Sequence, residues 1–300
     1  MEKFISKSMN NKDFCIFILT HGRPDKVVTM DTIRKAGYDG RVYIVIDNED
    51  KKQQEYINKF GVENVIIFDK LAISKTFDEF DNFNDRRAIV YARNACFEIA
   101  KDLGIKYFLQ LDDDYTAFKF RVNNLGEHPK SCPNIRKTLG KVFEAVLNYY
   151  KSINVSSIAF SQGGDWFGGE SNFGKLPKRK AMNTFFCCTE RPFQFIGRIN
   201  EDVNTYTYFQ SLGNVFFTIP LIQMDQLQTQ SNKGGMTDIY LSNGTYTKSF
   251  YTIICAPSCT SINLMGRTNR RLHHSIEWDY AVPCIIDDKY KKKNEVSILQ

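Results

Sequence analysis

Three consecutive carboxylates follow an apolar segment in the first half of the chain. Asp112, Asp113 and Asp114 come directly after residues 107–111, which are mostly apolar. Carboxylates this close together repel one another unless a cation neutralises them. Mg²⁺ and Mn²⁺ are hard ions that are typically held by one or two protein carboxylates together with water and phosphate oxygens. The cluster therefore predicts a divalent-metal site that could stabilise a leaving diphosphate, although an acidic surface turn has the same composition.

A second group of polar residues has the types that bind a nucleotide. Thr20, His21, Gly22 and Arg23 follow an apolar run. The glycine would let backbone amides approach a nucleotide, and the guanidinium would pair with its charge. Asp47 follows the next apolar run and could accept hydrogen bonds from a nucleobase N–H or a ribose hydroxyl. A lone acid in that position is as often a helix or turn cap.

One arginine stands out among those of the predicted helix 85–103. Arg93 has apolar neighbours on both sides, whereas Arg86 and Arg87 lie in a charged stretch and favour solvent. A guanidinium aimed at the edge of a sheet suits a diphosphate.

The second half of the chain offers two further pairs of candidates. Glu201 and Asp202 open a predicted helix, where acids commonly complement the helix dipole; the functional interpretation makes Asp202 a general base. His273 and His274 are adjacent, so in an extended segment only one of them can face a given site. Either of these histidines could contact a metal ion or the diphosphate, and a surface position is an equally good interpretation.

Alternating short apolar runs and amphipathic stretches in residues 14–115 predict βαβ units and an α/β fold with a mainly parallel sheet. The predicted strands are 14–20, 42–47, 65–68 and 107–111, and the predicted helices are 25–36, 50–60 and 85–103, with a loop at 70–82. The candidate residues above mostly follow these strands. Because open α/β sheets bind ligands at the carboxyl ends of their strands, we expect these candidates to share one site.

Beyond residue 115 the pattern is mixed. The predicted elements are helices at 135–150 and 203–212, strands at 157–160, 184–188, 215–219 and 250–255, and a Gly-rich loop at 163–169. We expect a frayed N-terminus (1–13), one domain over 14–290 and a tail (291–300). The domain divides into a nucleotide-binding half (14–115) and an acceptor-binding, catalytic half (116–290).

Composition limits the class of protein. With 300 residues, 42% of them hydrophobic, the chain can bury a large core. The net charge of +6 is too small and dispersed to identify a polyanionic partner. The eight cysteines form no CxxC pair, so we expect free thiols and a reducing cytoplasm. Neither a signal peptide nor a membrane-length apolar run is present, so no membrane association is expected.

Read in chain order, these motifs resemble the GT-A glycosyltransferases, particularly the inverting family-2-like enzymes. A narrower likeness is to bacteriophage glycosyltransferases associated with TET/JBP-type base hydroxylases. It rests on residues 20–23, 91–94, 111–115, 248–251 and 271–274. The resemblance implies a GT-A fold, with a Rossmann-like nucleotide-binding sheet and a mixed C-terminal half. It also implies transfer of a sugar from a nucleotide-sugar donor, a UDP-sugar, to the hydroxymethyl group of 5-hydroxymethylpyrimidines in phage DNA.

The resemblance also implies roles for the donor-side residues. Asp112 and Asp114, with His273 or His274, would hold Mn²⁺ or Mg²⁺ and the donor diphosphate, and Asp113 would lie beside the donor. Arg93 would contact phosphate.

The nucleoside and the chemical step are assigned in the same way. Asp47 and the loop Thr20–Arg23 would hold the nucleoside. Asp202, beside Glu201, would deprotonate the acceptor hydroxyl as it attacks the anomeric carbon, so the reaction would invert configuration.

The acceptor is the least constrained part. Trp166, Phe167 and the basic residues 178–180 could contact an extruded base and its phosphates, or form an ordinary loop. The alternatives are a GT-A enzyme acting on a glycan, lipid or protein, a sugar nucleotidyltransferase, and a non-catalytic nucleic-acid binder.

Overall fold

Continuously apolar segments form the centre of the fold, as their sequence predicts. The computed structural model describes residues 12–123, 131–162, 184–227, 244, 246–265 and 270–291. In the first strand, Phe14–Leu19, all residues are buried. Successive side chains of a strand point to opposite faces, so Phe14, Ile16 and Ile18 join one hydrophobic core and Cys15, Phe17 and Leu19 join the other. The sheet therefore has a packed core on each face.

The strands are β1 (Phe14–Leu19), β2 (Val42–Asp47), β3 (Val65–Phe68), β4 (Tyr107–Asp112), β5 (Tyr115–Phe120), β6 (Ser157–Gln162), β7 (Phe185–Cys188), β8 (Phe216–Gln226), β9 (Thr260–Met265) and β10 (Arg271–Ile276). The α-helices are α1 (Val28–Lys35), α2 (Gln53–Phe60), α3 (Lys70–Ser74), α4 (Val90–Asp102), α5 (Leu139–Ser152), α6 (Glu201–Ser211), α7 (Thr247–Cys255) and α8 (Trp278–Ala281). Short 3-10 turns lie at Pro24–Lys26, Val62–Asn64 and Asp288–Tyr290. Among the described residues, no helix has the length and apolar character needed to cross a bilayer.

Eight strands form one sheet in the order β3-β2-β1-β4-β7-β6-β8-β5. The first four strands are parallel. In the other half β7 and β5 run antiparallel to their neighbours, and β6 pairs parallel with β8. This confirms the predicted α/β class, with a mainly parallel sheet followed by a mixed half. The carboxyl ends of β1, β2 and β4 lie side by side, which brings the loops after them together.

The sequence-based elements differ from the structure mainly in the second half. The predicted strand 250–255 is wrong, because Thr247–Cys255 is the helix α7. The exposed residues Tyr246, at the N-cap, and Phe250 and Ile254, in the helix, recur every four positions, which is a helical spacing. A short apolar run, however, does not distinguish a helix from a strand. The strand β5 and the ribbon β9–β10 were not predicted.

Two elements before α4 also differ. The predicted loop 70–82 begins with the helix α3, whose first turn is capped by Asp69 through a hydrogen bond from the Ala72 amide (2.9 Å). The predicted helix 85–103 begins only at Val90, so residues 75–89 form a connection between α3 and α4. That connection contacts the candidate site.

Candidate active site

The three adjacent aspartates differ in their surroundings. Asp113 is 1% exposed and accepts hydrogen bonds from Thr20 Oγ1 (2.6 Å) and from Arg23 Nε and Nη2 (2.6 and 2.8 Å). These bonds join the end of β4 to the loop after β1. Asp113 therefore uses both carboxylate oxygens within the protein, and Arg23 is directed to it.

Asp112 and Asp114 are only partly buried, and both have raised pKa values. Burial raises the pKa of Asp112 to about 7, with Arg93 opposing and Asp114 adding to the effect. Burial likewise raises the pKa of Asp114 to about 6, with Asp113 adding to it and Arg23 opposing. Asp114 Oδ1 is buried without a hydrogen-bond partner among the described residues. The Asp112 side chain keeps 17% exposure, so it remains accessible from outside.

This pair of carboxylates suits a hard divalent cation. The cation would balance their negative charge and would be coordinated by Asp114 Oδ1, which has no hydrogen-bond partner among the described residues. Within the described segments, no three His, Cys, Asp or Glu side chains come together as a complete metal site. A cation held by Asp112 and Asp114 would therefore take its remaining ligands from water and from the donor diphosphate, as Mg²⁺ commonly does.

Arg93 connects the acidic cluster to the start of α6. Its guanidinium is 1% exposed, and it donates from Nη2 to Asp112 Oδ1 and from Nε to Glu201 Oε1, both at 2.9 Å. The rings of Phe185 and Phe195 lie 5.4 and 5.7 Å from its central carbon. Burial alone would lower the pKa of Arg93, but the two carboxylates raise it, so the group stays charged. Arg93 thus contacts carboxylates inside the protein, and the predicted contact with phosphate stays a prediction.

Glu201 and Asp202 begin α6 after a tight turn. Asn200 adopts a left-handed conformation (φ 63°), and its side-chain amide donates to Thr252 Oγ1 of α7 (2.6 Å). Burial raises the pKa of Glu201, with Arg93 opposing and the charge of Asp202 adding to the effect. Asp202 is only partly buried, and its charge also raises the pKa of Asp112. Of this pair, Glu201 is held by Arg93 while Asp202 lies closer to solvent, near the acidic cluster.

The loop after β1 is held by a second polar network. His21 Nδ1 lies 2.7 Å from Asp47 Oδ2, and Lys70 Nζ lies 3.3 Å from the same oxygen. Asp50 accepts a hydrogen bond from the Gly22 amide (2.6 Å), and Tyr56 OH accepts one from the Arg23 amide (2.9 Å). Of the four candidate residues of this loop, His21 therefore contacts Asp47, whereas Thr20 and Arg23 bond Asp113.

Three members of this network were missed in the sequence: Asp50, Tyr56 and Lys70. Lys70 comes shortly after β3, and Asp47 is the last residue of β2, so the position of Lys70 near a strand end was a usable signal. It was hidden by the assignment of residues 70–82 to a loop. Nothing in the sequence marks Asp50 or Tyr56, because they approach the loop only through the fold.

A third polar cluster anchors the segment that precedes α6. Arg198 is 3% exposed. It donates from Nε to Asp81 Oδ2 (2.7 Å) and from Nη2 to Tyr251 OH (3.0 Å), and Tyr251 OH also hydrogen-bonds Asp81. The cluster fastens the connection 75–89 and α7 to the turn before Glu201. No sequence signal separated Arg198 from other arginines.

The two histidines lie on the separate ribbon. Both belong to β10, where His273 Nδ1 is 2.7 Å from the His274 carbonyl and the two ring centroids are 4.3 Å apart. The ribbon packs against α7, which packs against α6. A metal contact by either histidine stays a prediction. Trp166, Phe167 and residues 178–180 lie outside the described residues.

We expect Arg93→Met to lower the free energy of unfolding by roughly 3–5 kcal/mol, because it leaves buried carboxylates without their counter-charge. Urea denaturation measures this change. The matched control is Arg86→Met, which removes an ion pair of similar length (2.6 Å to Glu49) whose side chains are 29% and 38% exposed. That change should cost at most about 1 kcal/mol. Equal losses in the two variants would contradict the role given to Arg93.

Comparison with known proteins identifies the family. A sequence model described as TET-Associated Glycosyltransferase matches residues 14–235. No curated protein matches the chain. Among solved structures, glucosyl-3-phosphoglycerate synthase from Mycobacterium tuberculosis with Mg²⁺ and UDP is 9% identical, with a TM-score of 0.46 over 89% of this chain and 88% of that chain. The same enzyme with Mn²⁺, UDP and phosphoglyceric acid gives 9% and 0.45, over 89% and 87%.

A third solved structure, S. aureus TarS 1-349, is 9% identical with a TM-score of 0.40, over 81% of this chain and 66% of that chain. Similarity this low indicates nothing about substrate. The family match, in contrast, spans more than half of the chain and includes β1 to β8, with the acidic cluster at the end of β4. The chain therefore belongs to the TET-associated glycosyltransferase family and is a glycosyltransferase.

Proposed function

We propose that the protein transfers a sugar from a UDP-sugar to the hydroxymethyl group of a 5-hydroxymethylpyrimidine in DNA, with inversion and with a divalent metal ion. The observation that supports this most is the link from Asp112 through Arg93 to Glu201. This link joins Asp112 to the start of α6, where Asp202 is partly exposed and its charge raises the pKa of Asp112. That arrangement supports a base acting next to a donor diphosphate.

Asp112 and Asp114 are the residues that would hold the metal and, through it, the diphosphate. When bound, the cation neutralises negative charge on the leaving diphosphate. The protein's own contribution is to keep the two carboxylates in place. Arg93 fixes Asp112, and the Asp113–Arg23 pair fixes the turn that carries Asp114.

Asp202 is assigned as the general base. It would take the proton of the acceptor hydroxyl while the oxygen bonds to the anomeric carbon and the bond from that carbon to the diphosphate oxygen breaks. A hydroxymethyl group does not ionise unaided near neutral pH, so a positioned base contributes roughly 10²- to 10⁴-fold. Glu201, engaged with Arg93, positions Asp202 at the start of α6.

The DNA acceptor rests on the family's association with TET, which the sequence resemblance connects with base hydroxylation. All eight cysteines are free, which suits a reducing cytoplasm, and the proposal places the reaction in the host of a phage. Family membership removes the nucleotidyltransferase alternative. A glycan, lipid or protein acceptor is the remaining rival.

The acceptor is tested by incubating the protein with Mn²⁺, a panel of UDP-sugars and DNA containing 5-hydroxymethylcytosine or 5-hydroxymethyluracil. After digestion to nucleosides, mass spectrometry should detect a hexose or pentose increment on the modified base. Unmodified DNA of the same sequence is the control and should gain nothing. Donor hydrolysis without any increment on DNA would contradict the acceptor and favour the rival class.

Asp114→Asn should lower donor turnover by roughly 10²-fold or more, because a neutral amide leaves the cation and the developing diphosphate charge less stabilised. Release of UDP measures turnover, with and without EDTA. Asp31→Asn, an exposed carboxylate of α1, is the matched control and should behave as the wild type. Turnover that survives both EDTA and Asp114→Asn would rule out the metal assignment.

Asp202→Asn should reduce transfer by roughly 10²- to 10⁴-fold while UDP binding persists, because the base acts on the acceptor and not on the donor. Calorimetry with UDP and Mn²⁺ reports binding, and nucleoside analysis reports transfer. Glu98→Gln, on the exposed face of α4, is the control for removing a carboxylate away from the site, and it should behave as the wild type. Loss of UDP binding in Asp202→Asn would indicate a structural role for this residue.

A further inference from the structure

We propose that Phe83 is a specificity-determining residue on which the acceptor base stacks, and that the base reaches it from single-stranded DNA or after leaving the duplex. The inference rests on the proposed transfer to a hydroxymethylpyrimidine and adds how that base is held. Phe83 lies in the connection 75–89, which leads into α4. It is 75% exposed, whereas Phe77 and Phe80 of the same connection are partly buried.

Phe77 and Phe80 show how a phenylalanine of this connection contributes to the fold. The Phe77 ring packs against the Tyr91 ring, with 5.5 Å between their centroids. Phe80 packs against Ile199 and Tyr251. Packing among the described residues therefore accounts for two of the three phenylalanines, and the third leaves most of its surface open to a ligand.

The backbone around Phe83 is tied to a buried arginine. Asp81 Oδ1 accepts the Phe83 amide (3.0 Å), and Asp81 Oδ2 accepts Arg198 Nε (2.7 Å). Asn84, the next residue, has a left-handed φ of 53°, which residues other than glycine adopt rarely and at a cost. These contacts fix the turn that carries the ring. A ligand that stacks on a ring fixed in advance pays less for ordering it.

Arg198 also places the ring near the start of α6. Its guanidinium carbon is 5.9 Å from the centroid of the Phe83 ring, and its backbone amide donates to the Glu79 carbonyl (2.9 Å). Asp202, the candidate base, comes four positions after Arg198. Phe83 therefore belongs to the part of the connection that is fixed beside the turn before α6, where the acceptor hydroxyl would lose its proton.

The charges near Phe83 fit a base better than a phosphate. Arg86 is paired with Glu49 at 2.6 Å. Arg87 is paired with Asp85 at 2.8 Å. A phosphate would have to displace these carboxylates, whereas any base offers a π face to an aromatic ring. Because both faces of a base are covered inside a duplex, the acceptor would be single-stranded or extruded.

The test measures transfer by the full chain with Mn²⁺, a UDP-sugar and a single-stranded oligonucleotide that carries one hydroxymethylated pyrimidine. Phe83→Ala should raise the KM of the oligonucleotide about fivefold to a hundredfold, which is the range for one base–aromatic stack. The KM of the UDP-sugar should not change. Phe83→Tyr should restore the wild-type KM, because it keeps the ring. Phe217→Ala, at a residue that is 40% exposed near the start of β8, is the matched control and should behave as the wild type.

The fluorescence of Phe83→Trp gives a direct readout of stacking. Compared with the wild type, its additional indole emission should be quenched when the oligonucleotide is added. An unchanged KM in Phe83→Ala, an equal rise in the KM of the UDP-sugar, a loss that Phe83→Tyr does not restore, or unquenched emission would each overturn the inference while transfer to DNA stands. If the wild type adds no sugar to DNA, the proposed acceptor fails and the inference fails with it.

Discussion

The rest of the site depends on the ion pairs that the buried Arg93 guanidinium makes with Asp112 and Glu201. A charge that is 1% exposed is tolerated only when opposite charges and hydrogen bonds surround it. Arg93 meets this condition with Asp112 on one side, Glu201 on the other, and the faces of Phe185 and Phe195. Since Asp112 ends β4 and Glu201 begins α6, the same bonds set the position of the candidate base relative to the candidate metal ligands.

The other carboxylates at this edge of the sheet follow the same rule with one exception. Asp113 pairs with Arg23, and Asp47 with Lys70 and His21. Asp114 differs, because one of its oxygens is buried without a hydrogen-bond partner among the described residues. The acceptors left open to a ligand are thus Asp114 Oδ1 and the exposed side of Asp112. Both lie at the turn that joins β4 to β5.

The sequence predicted the strands that border the candidate site better than the partners of its side chains. Strands 42–47 and 65–68 have the predicted bounds, because buried parallel strands are continuously apolar and end at polar residues. The same reasoning placed His21 and Asp47 at neighbouring strand ends. It could not show that Asp47 would be saturated by Lys70, or that Arg93 would contact Glu201 across 108 positions of sequence. Such pairs depend on which helix packs against which strand, and a short apolar run does not determine this. The segment of α7, which was predicted to be a strand, is an example.

The connection 75–89 links the two ends of the site. Near one end Arg86 pairs with Glu49, just after Asp47, and near the other Asp81 holds Arg198, just before Glu201. The Arg86 pair is exposed and contributes little free energy, whereas the Asp81–Arg198 pair is buried and costly to break. The connection is therefore fixed firmly on the side of α6 and only loosely at Glu49, in the turn after β2.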